Sequence, residues 1–536
     1  MELTYKGLKE REVWAKAGVE LPPYDVEAVA RKGQEAPVWV HFGIGNIFRI
    51  FVGSIADKLI REGELDAGLT CVETFDYEVV DRIYTPFDNL VLGVWLYGDG
   101  RVGKRVLGTM AESIKACSKD EAAWNRLKEV FTSPSLQMVS FTITEKGYAL
   151  RGADGSYFGY VKADMENGPD QVTGAMGVVT AMLYARYQAG KLPLALVSMD
   201  NVSKNGQKLH DSVLEMAKVW AEKGFVEKEF AEYISDESKV SFPWSMIDKI
   251  TPRPSEQIAD DLEKSGIENM QPVTTARHTF IAPFVNAEEP QYLVIEDKFP
   301  NGRPALEKAG VFMADRDTVI KAERMKLTVC LNPIHTAMGP YDVMLGYELF
   351  ADGMSDPDLA KLANLVGYQE GLPVVPDPGI ISPKAFIDEV VYERFPNKYL
   401  GDTSQRICTD ISMGVAFRFG ETIRAYVQKD GSASSLKGIP VAIAGWLRYL
   451  LAVDDNGQSY GLAPDPMKEE LRAQMEGIRV GEPDSLQGQL RPILSNANIW
   501  GLDLYEAGLG DKIEEIFREE LKGNGAVRAA LKKYLA

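Results

Sequence analysis

The sequence predicts an α/β protein: a doubly wound parallel sheet first, then a mostly α-helical C-terminal domain. A glycine-rich turn, "GIGN", stands between a short apolar run and a helical pattern, and several more strand-like runs follow before residue 300. After about residue 315 the periodic segments are nearly all helical. A chain of 536 residues is too long for one hydrophobic core, so we expect two domains, at 1–314 and 315–536.

The first structural unit is the strand–turn–helix around "GIGN". The run "VWVHF" has the composition of a buried parallel strand, and "IFRIFVGSIADKLI" repeats apolar residues at helical spacing. Gly43 would allow a tight turn, and Gly45 would let the backbone approach a pyrophosphate. Phe48 stands where the dinucleotide fingerprint has its third glycine. The unit favours a Rossmann-type NAD-binding domain, with a purely structural turn as the alternative.

The other strands and helices follow from the same patterns. Before the first strand, we expect a polar lead-in of 35 residues with one short helix. Strands are predicted at 68–74, 89–97, 136–144, 194–200 and 291–297, with helical patterns at 175–190 and 210–224 between them. Later helices are predicted at 340–353, 357–372, 440–453, 466–478 and 511–536. The alternation of strands and helices favours one parallel sheet with helices on both faces.

Composition excludes several classes of function. A formal net charge of −19 disfavours nonspecific binding to nucleic acid or to an anionic membrane. The four cysteines are far apart, which indicates neither a disulfide framework nor a zinc site and favours a reducing cytoplasm. The charged N-terminus does not resemble a signal peptide, and no apolar run reaches membrane-spanning length. The sequence leaves the oligomeric state open.

An acidic residue should close the second strand and bind the adenosine ribose. "LTCVETFD" offers Glu73, with Asp76 as the second choice. A carboxylate there would repel a 2′-phosphate, which favours NAD over NADP. The alternative is a solvated carboxylate.

A polar cluster ends the predicted strand 194–200. It contains Asp200, Asn201 and Asn205 in "VSMDNVSKNG". Ligands bind at the carboxyl ends of such strands, and an asparagine amide there can donate to a developing alkoxide. The alternative is an Asx turn that leads into the next helix.

The segment "KLTVCLNPIHTAMG" is the main catalytic candidate. Glu323 and Lys326 share one helix face, and Asn332 and His335 have the same spacing. Pro333 cannot continue a helix, so we expect a kink or a restart with Asn332 as N-cap. Such a break would aim the polar side chains into one cleft, whereas the alternative is an ordinary salt-bridged helix.

Six motifs together resemble the long-chain polyol (mannitol) dehydrogenase family. They are "GIGNIFR", "FTITEKGY", "MDNVSKNG", "MIDKITPRP", "LVIEDKFPNGRP" and "ERMKLTVCLNPIH", in this order. The resemblance spans the chain from about residue 37 to the C-terminal helices. It implies an NAD-binding domain, a helical domain, and metal-free hydride transfer in the cleft between them.

The resemblance also implies roles for particular residues. Lys326 would be the general acid–base, assisted in proton exchange by Glu323. Asn201 and Asn332 would form an oxyanion site, and His335 and Asp248 would contact the substrate. The cofactor site would comprise Gly43, Gly45, Asn46, Ile47, Phe48, Glu73, Thr144 and Glu145.

The chain departs from the family motif at one place. The motif has four residues between the lysine and the asparagine, whereas "LTVCL" supplies five. One extra residue rotates Asn332 by about 100° on a regular helix, and a π-bulge can absorb it. A lysine can hold the carbinol proton without a metal if burial lowers its pKa toward the working pH.

Two phrases, "VETFDYEVVDRIYTPFDNL" and "RFGETIRAY", favour the uronate-reducing branch of the family. We therefore expect a small-molecule substrate, D-mannonate interconverted with D-fructuronate, ahead of tagaturonate and mannitol. A sugar acid needs a cation for its carboxylate, and Arg406 and Arg418 are the candidates, unless both are structural ion-pair residues. A degenerate nucleotide-binding sensor is the alternative from another class.

Overall fold

The computed structural model describes residues 1–152 and 154–536. Its internal contacts divide the chain into two units, Met1–Val319 and Ile320–Ala536. In the part of the chain that the structure describes, no helix combines the length and the apolar character needed to cross a membrane.

A six-stranded parallel sheet forms the centre of the first unit. Its strands are β1 (Trp39–Phe42), β2 (Leu69–Glu73), β3 (Met110–Lys115), β4 (Met138–Phe141), β5 (Leu194–Ser198) and β6 (Val240–Ser241). Their spatial order is β3-β2-β1-β4-β5-β6, and every neighbouring pair is parallel. The predicted doubly wound sheet is therefore confirmed, and the strand order reverses between β1 and β4, where such sheets bind ligands.

Helices cover both faces of this sheet. Val40 and Phe42 of β1 belong to one hydrophobic core and Trp39 to the other, since successive side chains point to opposite faces. The α-helices of this unit are Arg11–Lys16, Val26–Glu35, Gly53–Arg61, Glu121–Thr132, Thr144–Tyr148, Gly159–Asn167, Ala175–Gln188, Asn205–Glu222, Lys228–Ser235 and Glu256–Lys264. Five-residue π-helical turns lie at Phe48–Val52 and Val80–Tyr84.

Two of the predicted strands form outside the main sheet. Val91–Leu96 lies between the parallel strand Phe284–Ala287 and the antiparallel strand Val102–Leu107. Tyr292–Glu296 lies between Phe312–Ala314 and Ser245–Asp248. The chain turns back directly after Val91–Leu96, so the next strand, Val102–Leu107, pairs with it in the antiparallel direction. A parallel neighbour needs a long connection, and Phe284–Ala287 comes from far along the chain. A two-stranded hairpin, Val273–Thr274 with Phe280–Ile281, completes the sheets of this unit.

The N-terminal lead-in is more structured than predicted. It holds two α-helices, Arg11–Lys16 and Val26–Glu35, instead of one. Trp14 is fully buried and its indole N–H donates to the carbonyl oxygen of Gly7 at 3.0 Å. Asp25 caps the second helix by accepting from the amide of Ala28. The buried Trp14 and the Asp25 cap therefore order a segment whose polar composition alone predicted little structure.

The second unit is helical, as predicted. Its α-helices are Asn332–Met344, Phe350–Gly353, Pro357–Asn364, Pro383–Glu389, Ser404–Ile407, Ile411–Arg418, Gly420–Asp430, Gly438–Tyr449, Lys468–Gln474, Arg491–Leu494, Ala497–Trp500, Gly510–Glu520 and Ala526–Tyr534; helix Arg316–Met325 leads into it. The π-helical turns are Lys326–Cys330, Leu365–Gly371 and Val390–Arg394. Helix Gly438–Tyr449 is buried along its whole length and packs against Asn332–Met344 and Gly510–Glu520. Helix Asn332–Met344, which carries candidate catalytic residues, is thus held in the core of this unit.

Candidate active site

The glycine turn after β1 leaves room for a ligand on its outer side. Gly43 has φ of +88°, and a Cβ there would lie 2.2 Å from the carbonyl oxygen of Thr142, so only glycine fits. A Cβ on Gly45 would meet nothing within 4 Å. The turn therefore packs tightly on the β4 side and is open above Gly45, where a side chain would otherwise block a phosphate.

Asn46 supplies a polar atom that fits a dinucleotide. Its Oδ1 is buried and has no hydrogen-bond partner in the described part of the chain. A buried amide oxygen of this kind is costly unless something donates to it. A ribose hydroxyl can donate such a bond, and the pyrophosphate would lie over the open position at Gly45. Ile47, the next residue, is half-buried. The residues present thus fit the predicted cofactor.

Phe48 has a packing role. Its ring stacks on the imidazole of His41, with centroids 4.1 Å apart and planes 14° apart. His41 contacts the hydroxyls of Ser140 and Thr142, and burial lowers its pKa to about 3, so the imidazole is neutral. The fingerprint's third glycine serves close helix–strand packing, and here a stacked aromatic pair fills that place.

Both acidic candidates after β2 are engaged by the protein. Glu73 accepts from the amides of Phe75 (2.8 Å) and Asp76 (3.2 Å), and burial raises the pKa of its carboxyl. The Asp76 carboxylate accepts from the hydroxyl of Thr275 at 2.6 Å. A carboxylate keeps further lone pairs after two such bonds, so Glu73 can still accept from a ribose hydroxyl.

The loop after β5 is organised by Asp200. Its carboxylate accepts from the amides of Ile143 (2.8 Å) and Thr144 (3.0 Å) and from the hydroxyl of Tyr148 (2.6 Å). Thr144 has φ of +65°, a left-handed conformation that these bonds hold in place. Asp200 therefore joins the loops after β4 and β5, the two strands that carry the Thr144 and Asn201 candidates.

Asn205 is structural, and Asn201 is accessible. The amide of Asn205 donates to the carbonyl oxygens of Ser198 and Ser245, and its Oδ1 accepts from the amide of Ser245. These bonds pin the loop, and Asn201 is exposed four residues earlier. The structural alternative for this motif therefore describes Asn205, whereas the exposed Asn201 is the candidate for a ligand.

Two further candidates of the first unit differ in their surroundings. Glu145 is exposed and forms a salt bridge with Lys208 at 2.5 Å. Asp248 ends the strand Ser245–Asp248 and is buried.

The π-helical turn Lys326–Cys330 lies where the extra residue enters the candidate catalytic segment. Lys326 begins the turn and is 2% exposed, while Glu323 lies one helical turn earlier and is half-buried. A π turn holds one residue more than an α-helical turn, so this turn can accommodate the extra residue before Asn332. The next helix begins at Asn332 with Leu331 in the N-cap position, one residue earlier than predicted.

Asn332 and His335 lie in the first turn of that helix. Asn332 Oδ1 is buried without a hydrogen-bond partner among the described residues. The His335 ring stacks on Phe395 (4.2 Å between centroids, planes 16° apart) and meets Phe350 edge-on at 4.7 Å. The two aromatic rings fix the imidazole orientation, a feature that no short motif in the sequence predicted.

The two candidate arginines differ in their pairing. Arg406 is 62% exposed and is paired with Asp402 by a two-point salt bridge through Nε and Nη2. Arg418 is half-buried at the end of helix Ile411–Arg418, and its Nη1 donates to Thr336 Oγ1 at 2.9 Å. The structural alternative therefore fits Arg406 better than Arg418.

Two family models match the chain. The model described as "Mannitol dehydrogenase Rossmann domain" matches residues 38–308, and "Mannitol dehydrogenase C-terminal domain" matches residues 319–519. Together they span both units of the fold.

Similar proteins match over nearly the full length. The chain is 50% identical over 536 residues to "D-mannonate oxidoreductase" of Thermotoga maritima, which covers 99% of each chain. It is 28% identical over 509 residues to "D-mannonate oxidoreductase" of Escherichia coli, with 92% of each covered. Among solved structures, the "Pseudomonas fluorescens mannitol 2-dehydrogenase ternary complex with NAD and D-mannitol" superposes with a TM-score of 0.73 at 25% identity. That match covers 100% of this chain and 99% of that one.

Proposed function

The chain belongs to the mannitol dehydrogenase family, and from that premise we propose that it interconverts D-mannonate and D-fructuronate. It is an NAD-dependent dehydrogenase that acts on a secondary alcohol. The observation that carries the proposal is the 50% identity over 99% of both chains to a D-mannonate oxidoreductase. Residues 1–314 bind the cofactor, residues 315–536 supply the acid–base machinery, and the reaction takes place in the cytoplasm.

The cofactor segments of the first unit support the use of NAD. The open turn at Gly45, the buried Asn46 Oδ1 and the Glu73 carboxylate would hold the dinucleotide. Bound NAD⁺ supplies the hydride acceptor. Asp200 orients the loop that carries Thr144, and Glu73 disfavours a phosphate on the ribose.

Lys326 is the proposed general acid–base. In the oxidative direction its neutral amine takes the proton from the carbinol oxygen, and in the reductive direction its ammonium returns it. Its burial at the start of the π turn limits competition from water for that proton. Glu323, one turn away on the same helix face, receives the proton from the lysine.

Asn332 and Asn201 are the proposed donors to the alkoxide. An amide N–H that points at the developing charge stabilises it without reorganisation. His335, fixed between Phe395 and Phe350, orients a substrate hydroxyl, and Asp248 accepts from another.

The test is the oxidation of NADH with D-fructuronate, D-tagaturonate and D-fructose in parallel. We expect the highest kcat/KM with D-fructuronate. A preference for tagaturonate or fructose would assign the chain to another activity of the family. NADH binding without turnover of any of the three would instead indicate a nucleotide sensor.

A further inference from the structure

Gly414 leaves a space that the Arg418 side chain fills. A Cβ placed on Gly414 would lie 2.4 Å from Nε and 2.5 Å from Cζ of Arg418. The two residues are four apart on the helix Ile411–Arg418, so they share one face. The guanidinium therefore folds back over the glycine, and any side chain at position 414 would displace it.

Arg418 is a half-buried cation that no described carboxylate contacts directly. In the described part of the chain it makes one hydrogen bond, to Thr336, and no salt bridge. The carboxylates that act on it electrostatically are Asp410 and Asp465, and Asp465 is already engaged by the amide and hydroxyl of Ser412. Burial lowers the pKa of Arg418. A guanidinium in this state gains most from an anion that brings its own charge.

Thr336 places the guanidinium beside the proposed catalytic residues. Thr336 directly follows His335 and lies four residues after Asn332. All three residues therefore lie close together in the first turns of the same helix. Arg418 therefore meets this helix about one turn, or about 5.4 Å, beyond Asn332. A sugar acid whose carbinol contacts Asn332 extends over a similar distance to its carboxylate. Arg406, the other candidate, is occupied by Asp402.

We propose that Arg418 binds the carboxylate of the sugar acid and that Gly414 is the specificity-determining residue that makes this possible. The inference rests on the proposed function, because it names the group that recognises the acidic end of that substrate. Thr336 acts as a positioning residue, since it contacts the guanidinium and fixes its direction. A side chain at position 414 would move the cation and remove the preference for acids over neutral analogues.

The test compares D-mannonate with its neutral amide, D-mannonamide, as substrates for oxidation. The wild-type protein should prefer the acid by about 10- to 100-fold in kcat/KM, the range of a charge-assisted hydrogen bond. Gly414→Ala should lose most of this preference through a higher KM for the acid, and Arg418→Gln should lose all of it. The decisive quantity is the ratio of kcat/KM for the acid to kcat/KM for the amide within each variant, because a general loss of activity lowers both values and leaves their ratio unchanged.

The variant at position 414 is chosen to preserve the fold of the helix. Alanine favours a helix more than glycine does, and the clash at position 414 is with the end of a flexible side chain. Gly461→Ala is the matched control, since a Cβ there meets nothing within 4 Å, and it should keep the full preference. If Gly414→Ala and Arg418→Gln both keep the wild-type preference, the inference is wrong. If the wild-type protein does not oxidise D-mannonate at all, the proposed function fails instead.

Discussion

Replacing Asn332 by alanine should lower the rate of catalysis without lowering stability. Asn332 Oδ1 is buried and accepts no hydrogen bond in the described residues, so its removal breaks no bond to that atom. Most asparagines that cap helices behave in the opposite way, because their oxygen satisfies a backbone amide. The two properties, rate and stability, therefore separate a ligand-binding asparagine from a structural one.

The expected magnitudes follow from the two environments. Loss of one amide donor to an alkoxide costs about 10²–10³ in kcat, or about 2.7–4 kcal/mol of transition-state stabilisation. A buried acceptor without a partner costs the folded state about 1–3 kcal/mol, and Asn332→Ala removes that cost. The unfolding midpoint should therefore stay equal or rise while kcat falls.

Steady-state oxidation of D-mannonate and thermal unfolding measure the two quantities on the same samples. Asn496→Ala is the matched control, because Asn496 caps the helix Ala497–Trp500 through the amide of Asn498 at 2.9 Å. It should lose about 1 kcal/mol of stability and keep its kcat. A near-normal kcat for Asn332→Ala, together with a collapse for Asn201→Ala, would refute the reasoning, since the extra residue after Lys326 would then have turned Asn332 away.

Three further predictions concern the proton, the cofactor and the core. Lys326→Ala should lose several orders of magnitude of kcat in both oxidation and reduction, while fluorescence titration should show that it still binds NADH. In the wild type, kcat/KM should rise with pH for oxidation and fall with pH for reduction. A Lys326→Ala variant with the wild-type rate and pH profile would exclude the lysine mechanism. The wild type should have a higher kcat/KM with NADH than with NADPH, and Glu73→Ala should reduce this preference. A wild-type preference for NADPH would contradict the prediction that Glu73 binds the adenosine ribose. Burial raises the pKa of Glu520 from 4.5 to about 8, so the unfolded chain releases a proton that the folded chain retains, and stability should fall as pH rises from 4.5 to 8. Glu520→Gln should flatten this dependence in thermal melts, and an unchanged slope would assign it to other groups.

The sequence predicted the parts of the fold that rest on local patterns. Continuous apolar runs identified β1, β2, β4 and β5, since strands buried on both faces carry apolar residues throughout. Which sheet a strand joins is decided by its partners far along the chain. Val91–Leu96 is as apolar as β1, yet it pairs with Phe284–Ala287, almost two hundred residues later. No local pattern encodes that pairing.

The candidate site shows the same division. Lys326, Asn332 and His335 lie within ten residues, so motif and spacing could identify them. The contact between Arg418 and Thr336 joins residues 82 apart in sequence, and the role of Gly414 depends on a rotamer of another side chain. A glycine inside a helix is nonetheless a signal, because it usually marks a position where something else needs the space.

Buried polar atoms without partners lead from the fold to the function. A buried carboxyl group without a donor can bind a proton. The Tyr341 hydroxyl lies 2.6 Å from Glu520 Oε1 and 2.8 Å from the Val441 carbonyl oxygen, and it has only one proton to donate to the two acceptors. A proton on Glu520 completes this cluster, in agreement with the raised pKa of its carboxyl.

An amide oxygen cannot bind a proton near neutral pH, so its partner must come from elsewhere. Among the described residues, three amide oxygens are buried without a partner, those of Asn46, Asn332 and Gln474. The Gln474 amide donates to Glu470 across one turn of a surface helix, where a small rotation can expose its oxygen to water. Asn46 and Asn332 lie in the segments proposed to bind the cofactor and the alkoxide. Donors that the ligands bring would satisfy both oxygens, which supports the proposal that each of the two residues binds a ligand.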